Sequence, residues 1–121
     1  MPGRRETSAQ RTGRSAEESA CRYLEAEGLV LVTRNYRCRW GEIDIVMHDG
    51  ATVVFVEVRQ RRTDDFGTPA ETVTAGKQAR LRTTAEHYLQ NYQKESQKPC
   101  RFDIVAINGS DQRIDWLRDA F

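Results

Sequence analysis

At 121 residues, 38% hydrophobic and 31% charged, the chain has the size and balance of one soluble domain with a core of its own. A formal charge of +1 excludes a uniformly basic nucleic-acid coat, so any phosphate contact must be a local patch. Cys21, Cys38 and Cys100 include no close pair, which excludes a zinc-knuckle spacing and argues against a disulfide framework.

Reduced thiols, no apolar run near the ~20 residues that cross a bilayer, and no visible signal peptide predict a cytoplasmic protein without membrane contact. Residues 1–12 carry Arg4, Arg5 and Arg11 without an apolar period and read as a mobile basic arm, leaving a single domain over 13–121. Ser15-Ala16-Glu17-Glu18 has the capping-box pattern, with Ser15 as N-cap. A helix is predicted from Ala16 to about Glu27, burying Ala16, Ala20, Tyr23 and Leu24 and ended by Gly28. Glu17 flanks that stripe in the first turn, where the helix dipole favours a carboxylate. Leu29 to Tyr36 alternates as a strand. Arg34, Arg37 and Arg39 at its end either line a phosphate-binding face or solvate the strand end. Trp40 is then a partly buried anchor of the next turn, or a stacking surface for a base.

Gly41 to Arg59 reads as two strands about Asp49-Gly50, a strong hairpin signal. Val53 to Val58 is nearly all apolar, as in a strand covered on both faces, yet it holds Glu57, which needs a cation or donors beside it. With Asp49 and Gly50 as the loop, His48 faces Ala51, Glu42 faces Glu57, and Asp44 lies diagonal to Glu57 at roughly 7–8 Å. Glu42, Asp44, Glu57 and Arg59 then share one side of the sheet, and Ile43, Ile45, Val54, Val56 and Val58 the other. Acids crowded on one patch repel unless something lies between them, and they suit a hard divalent cation such as Mg²⁺. A three-residue turn would instead put Asp44 and Glu57 on opposite sides.

Sixteen of the nineteen basic residues are Arg, which pairs with phosphate bidentately, although genomic base composition alone gives such a bias. Arg61 and Arg62, opening a polar loop with Asp64, Asp65, Gly67 and Pro69, are the candidates for phosphate contacts. A second helix is predicted from about Ala75 to Lys94 with Thr74 as N-cap, and Leu81, Ala85, Tyr88, Leu89 and Tyr92 at helical spacing. Lys77, one turn before Leu81, points at the acid-bearing sheet, as a site residue or a structural ion pair. His87 falls on the outer side. Arg101 to Asn108 is a strand in which Asp103 is placed to pair with an Arg. Arg113 to Trp116 is a last short strand, packed down by Leu117, Ala120 and Phe121. The order α-β-β-β-α-β-β gives an α/β fold: a mixed central sheet flanked by helices, with one parallel pairing across the second helix.

GEIDIV, a short turn and VFVEVR resemble the YraN family of small bacterial proteins. The likeness extends over Gly13, Glu17, Ala20, Leu24, Arg34-Asn35, Phe66-Gly67, Lys77, Arg101-Phe102-Asp103 and Ala120-Phe121. That family is similar to Holliday-junction resolvases and, more distantly, to restriction endonucleases of the PD-(D/E)XK type. The resemblance implies a restriction-endonuclease-like fold and a metal-dependent endonuclease that hydrolyses DNA, branched DNA included. It implies Mg²⁺ or Mn²⁺ on Asp44 and Glu57, with Glu42 beside them, where the ion lowers the pKa of a bound water and stabilises transition-state charge. It also implies a further metal or water ligand at Glu17 and, by analogy with enzymes that cut two strands, a homodimer. Arg59 stands where the resemblance expects Lys. An Arg holds phosphate, but its pKa above ~12 bars it from general-base work, which passes to hydroxide on the ion or to Glu17. The alternative is a nucleic-acid-binding accessory module with a degenerate nuclease site, whose binding weakens steeply with salt. A protein-interaction domain without nucleic-acid contact is the third.

Overall fold

The chain folds as α1 (Ser8–Ala26), β1 (Val30–Cys38), β2 (Gly41–Asp49), β3 (Thr52–Arg61), α2 (Ala75–Asn91), the one-turn α3 (Gln93–Ser96), β4 (Cys100–Asn108) and β5 (Ile114–Leu117). The computed structural model describes residues 8–61 and 72–121 (backbone only over 8–13). Residues 1–7 of the expected arm, Arg62 and the loop through Asp64, Asp65 and Phe66-Gly67 lie outside the described residues. The five strands lie side by side in chain order. Three pairings are antiparallel, and β3–β4 is the parallel one that the crossover through α2 requires.

Apolar residues on both faces of β2 and β3 are explained by a helix on each side. Ile45, Met47, Val54 and Val56 form one core with Ala16, Ala20 and Leu24 of α1. Val46, Val53 and Phe55 form the other with Leu81, Ala85 and Tyr88 of α2. Phe55 stacks on Phe102 at 5.3 Å between ring centroids, and Phe102 on Phe121 at 5.0 Å, so the chain end closes the second core. No helix among the described residues is long and apolar enough to cross a membrane.

Three local expectations are corrected. α1 begins at Ser8, so Ser15 lies inside the helix rather than capping it, and residues 8–12 are helix rather than arm. Once a helix exists, each added residue brings another hydrogen bond, and the upstream chain propagates through Gly13. The predicted second helix does start at Ala75, where the Thr74 side chain accepts from the Lys77 N–H at 3.2 Å. It breaks at Tyr92 (φ −124°, ψ 85°), however, and resumes as α3. His87, expected on the outer side, instead shares a 2.6 Å hydrogen bond with the Tyr36 hydroxyl of β1.

Asp103 is fully buried and meets three donors: the Arg101 guanidinium at 3.0 Å, Trp116 Nε1 at 2.9 Å and the Asp119 N–H at 2.9 Å. Arg101 continues to Asp49 at 2.9 Å, tying the β2–β3 turn to β4. Asp103→Ala strips the Trp116 and Asp119 donors of their acceptor, leaves Arg101 with Asp49 alone, and is expected to cost about 3–5 kcal/mol in urea unfolding. A loss under about 1 kcal/mol would show the network to be dispensable.

Candidate functional site: a carboxylate cleft where the hairpin forks

The ladder between β2 and β3 runs from Asp49↔Thr52 only to Ile45↔Val56. Beyond that pair β2 stays with β1 as far as Cys38↔Gly41, while β3 stays with β4 as far as Arg61↔Asn108. The hairpin therefore forks, and Asp44 and Glu57 are the first residues past the fork. The register differs by two from the expected one: His48 faces Val53, not Ala51, because Gly50-Ala51 form the loop. A shift by two preserves the alternation of sides.

Alternation fails instead at the fork itself. Ile45 belongs to the core under α1, whereas Ile43 belongs to the core under α2. The partner strand switches likewise: Arg34 reaches Glu17 of α1 at 3.8 Å, while Tyr36 packs edge-on against Tyr88 of α2 at 5.3 Å. Asn35 between them takes φ 55°, a left-handed conformation that Asn tolerates better than most residues. So Ile43 and Ile45 do not share one core face, as alternation alone predicted. Asp44, between them, turns its Oδ2 onto the Val58 N–H of β3 at 2.8 Å, replacing the carbonyl that a continued ladder would have offered.

The fork opens into a cleft of about 280 Å³. Gly41, Glu42 and Asp44 of β2, Glu57 of β3, and Lys77, Arg80 and Leu81 of α2 line it. Gly41 has φ 155°, and a Cβ there would lie 3.1 Å from Thr84 Oγ1, so glycine lets α2 approach the cleft wall. One carboxylate oxygen each from Glu17, Glu42 and Asp44 lies within 4.8 Å of the others. Glu57 is not of that trio; it is buried, and its Oε1 meets Lys77 Nζ at 2.8 Å and Arg59 Nη1 at 3.6 Å.

Each carboxylate but one thus has its own cation: Arg34 for Glu17, Arg37 for Glu42, and Lys77 with Arg59 for Glu57. Asp44 has none among the described residues. Burial first, then the charge of Glu57, push its pKa from 3.8 up to about 7, against the pull of the Val58 N–H. Burial also raises Glu17, opposed by a hydrogen bond from the Asn35 side chain and by Arg34.

The expected residues divide accordingly. Asp44, Glu42, Glu57 and Lys77 line one cleft, and Glu17 adds its oxygen from α1. Arg59, besides its contact with Glu57, donates to the Thr72 carbonyl and to Thr72 Oγ1 at 3.3 Å. Arg37 is engaged with Glu42. Arg39 lies over the Trp40 ring at 4.4 Å, and the Arg61 carbonyl accepts from Gly109 N–H at the far end of β3. Arg80 was not anticipated, although three residues after Lys77 is the same helix face.

A mixed five-stranded α/β domain with an acidic, lysine-flanked cleft at a hairpin fork is the class that fold and site define. The chain belongs to the family described as Uncharacterised protein family UPF0102, whose model matches residues 16–107. A UPF0102 protein of Nitrosococcus oceani is 53% identical over 112 residues, covering 90% of each chain. One of Nitrosomonas europaea is 49% identical over 116 residues, 95% of this chain and 97% of its own, and one of Coxiella burnetii is 49% identical over 111, 92% of each.

Proposed function

We propose that this protein is a metal-dependent endonuclease acting on DNA phosphodiester bonds, with a restriction-endonuclease-like arrangement of its sheet and branched DNA among its substrates. The observation that carries the reading is Asp44: a half-buried carboxylate with no cation of its own among the described residues, in a trio of carboxylate oxygens within 4.8 Å. An all-oxygen, charge-crowded, partly dehydrated donor set fits a hard divalent ion such as Mg²⁺ or Mn²⁺. Asp44, Glu42 and Glu17 would hold it, with Glu57 across the cleft as a further donor. Such an ion, when bound, activates water and offsets charge on the reacting phosphate.

The chain's own groups divide the remaining work. Lys77 holds Glu57 in place and presents an ammonium to an entering phosphate. Arg80 offers a second cation on the same wall. Glu17, held by Arg34 and the Asn35 side chain, brings its carboxylate from α1 to the trio. Incubation of the purified protein with linear, flapped and four-way DNA, with Mg²⁺ or Mn²⁺, is expected to give nicks that Asp44→Ala abolishes. Absence of cleavage on all three together with absence of ion binding overturns the reading.

One observation favours the second reading, a nucleic-acid-binding accessory module with a degenerate site. The Arg59 guanidinium, at the position where a catalytic lysine is expected, is tied to Thr72 and to Glu57 rather than to any of the trio. Such a module binds DNA without an ion, and Asp44→Ala leaves that binding unchanged.

A further inference from the structure

We propose that Trp40 is a seat on which an unpaired nucleobase stacks beside the carboxylate cleft, which directs the site to single-stranded or branched segments. The inference rests on the nucleic-acid reading above and deepens it.

Arg39 and Trp40 form the two-residue turn that joins β1 to β2 at the Cys38↔Gly41 pair. Turns of that length favour Gly, Asn or Asp, whose backbones reach the required conformations cheaply. An indole adds nothing to such a turn. It also remains 47% exposed, forgoing the stabilisation that burial of its ring would bring. The turn is nonetheless held: the Trp40 N–H donates to Cys38 Sγ at 3.4 Å, and the Arg39 guanidinium lies 4.4 Å from the ring centroid. A ring already oriented by a cation loses less freedom when a second flat partner arrives.

Position decides what that partner is. The next two residues, Gly41 and Glu42, line the cleft, so the turn that carries the indole adjoins it. Trp40 immediately precedes β2 and Asp44 is that strand's fourth residue, so the two lie at most about 13 Å apart along the chain at about 3.3 Å per residue. That separation matches about four steps of a stacked strand, and fewer of an extended one. Arg80 on the opposite wall makes no ion pair with a described residue and is available to a phosphate between the two points. Bases in a duplex are already stacked on each other. Only a single strand, a flap or a junction offers a free face to an indole.

The test is oligonucleotide binding in EDTA, so that cleavage plays no part. Trp40 and Trp116 are the two tryptophans, and oligo-dT is expected to quench the wild-type emission but not that of Trp40→Phe. Trp40→Ala and Trp40→Leu should weaken oligo-dT binding about five- to hundredfold, and Trp40→Phe by much less, because its ring still stacks. The Trp40→Ala loss should persist from low to moderate salt, whereas that of Arg80→Ala should shrink. Duplex of the same length should show no Trp40 dependence; oligo-rU separates RNA from DNA. Wild-type cleavage with unchanged oligo-dT affinity in Trp40→Ala overturns this proposal alone, and is the result expected if the indole meets a protein instead. Failure of the wild type both to bind oligonucleotides and to cleave overturns it together with the reading beneath it.

Discussion

Asp44→Asn is expected to give a protein that melts higher than wild type at pH 8 and no longer cleaves DNA. Asp44 titrates near 3.8 when exposed and about 7 in the fold, with burial and then Glu57 as the causes. The folded chain therefore binds a proton more tightly than the unfolded one. From about pH 4 to about pH 7 the native state holds more protons, so this group's contribution to stability falls as pH rises through that window. Above about pH 7 the penalty is complete. At about 1.36 kcal/mol per unit its ceiling is about 4 kcal/mol. Asparagine keeps an oxygen for the Val58 N–H and carries no charge. The gain should appear as about 5–15 °C in Tm at pH 8 and fade towards zero as pH falls to about 4. Mg²⁺ should raise the melting temperature of wild type at pH 8 and leave Asp44→Asn unmoved. If the variant melts below wild type at pH 8, Asp44 is a structural carboxylate and the stored charge does not exist.

Much of this site was legible in the chain, for reasons that also mark where legibility stopped. Two alternating runs about Asp49-Gly50 place a hairpin, and period-two geometry makes the site robust to a register shift of two residues. Displacement by two residues leaves the side chains of the paired stretch, Ile45 to Asp49 and Thr52 to Val56, on their expected sides. Lys77 was legible because helical spacing from Leu81 aims it at the sheet, and its Nζ does meet Glu57. The fork was not legible. It depends on β2 and β3 parting after Ile45↔Val56 and on the side switch around Asn35, and no local propensity encodes a ladder that simply stops. Cation assignment was hidden for a related reason: Arg37, Arg34 and Arg59 are equivalent as letters, and only the fold gives each its own acceptor. The capping box at Ser15 misled because a cap works only where the upstream chain leaves the helix, and here it does not.

Lys77→Met is expected to move ion binding and cleavage in opposite directions. The ammonium sits 2.8 Å from Glu57 Oε1 and lines the same cleft as Asp44 and Glu42. A positive charge at that range opposes a second cation, so its removal should tighten Mn²⁺ binding about tenfold or more, read by calorimetry at constant salt. It also leaves Glu57 buried with only Arg59, at 3.6 Å, for company. The ion-free protein should therefore lose about 1–3 kcal/mol of stability, and Mn²⁺ should restore most of it by neutralising the orphaned carboxylate. Cleavage should nevertheless fall about a hundredfold, because a fixed donor aimed at the reacting phosphate has gone and a tighter ion does not replace it. A structural ion pair gives a different pattern. Stability falls, ion affinity stays where it was, and cleavage drops only as far as the folded fraction does. In the double variant Glu57→Gln/Lys77→Met the stability loss should largely cancel, since neither partner is then left charged and alone, while the cleavage defect persists. Recovery of cleavage in that double variant would assign Lys77 to the fold and leave Arg80 as the phosphate-facing cation of the cleft.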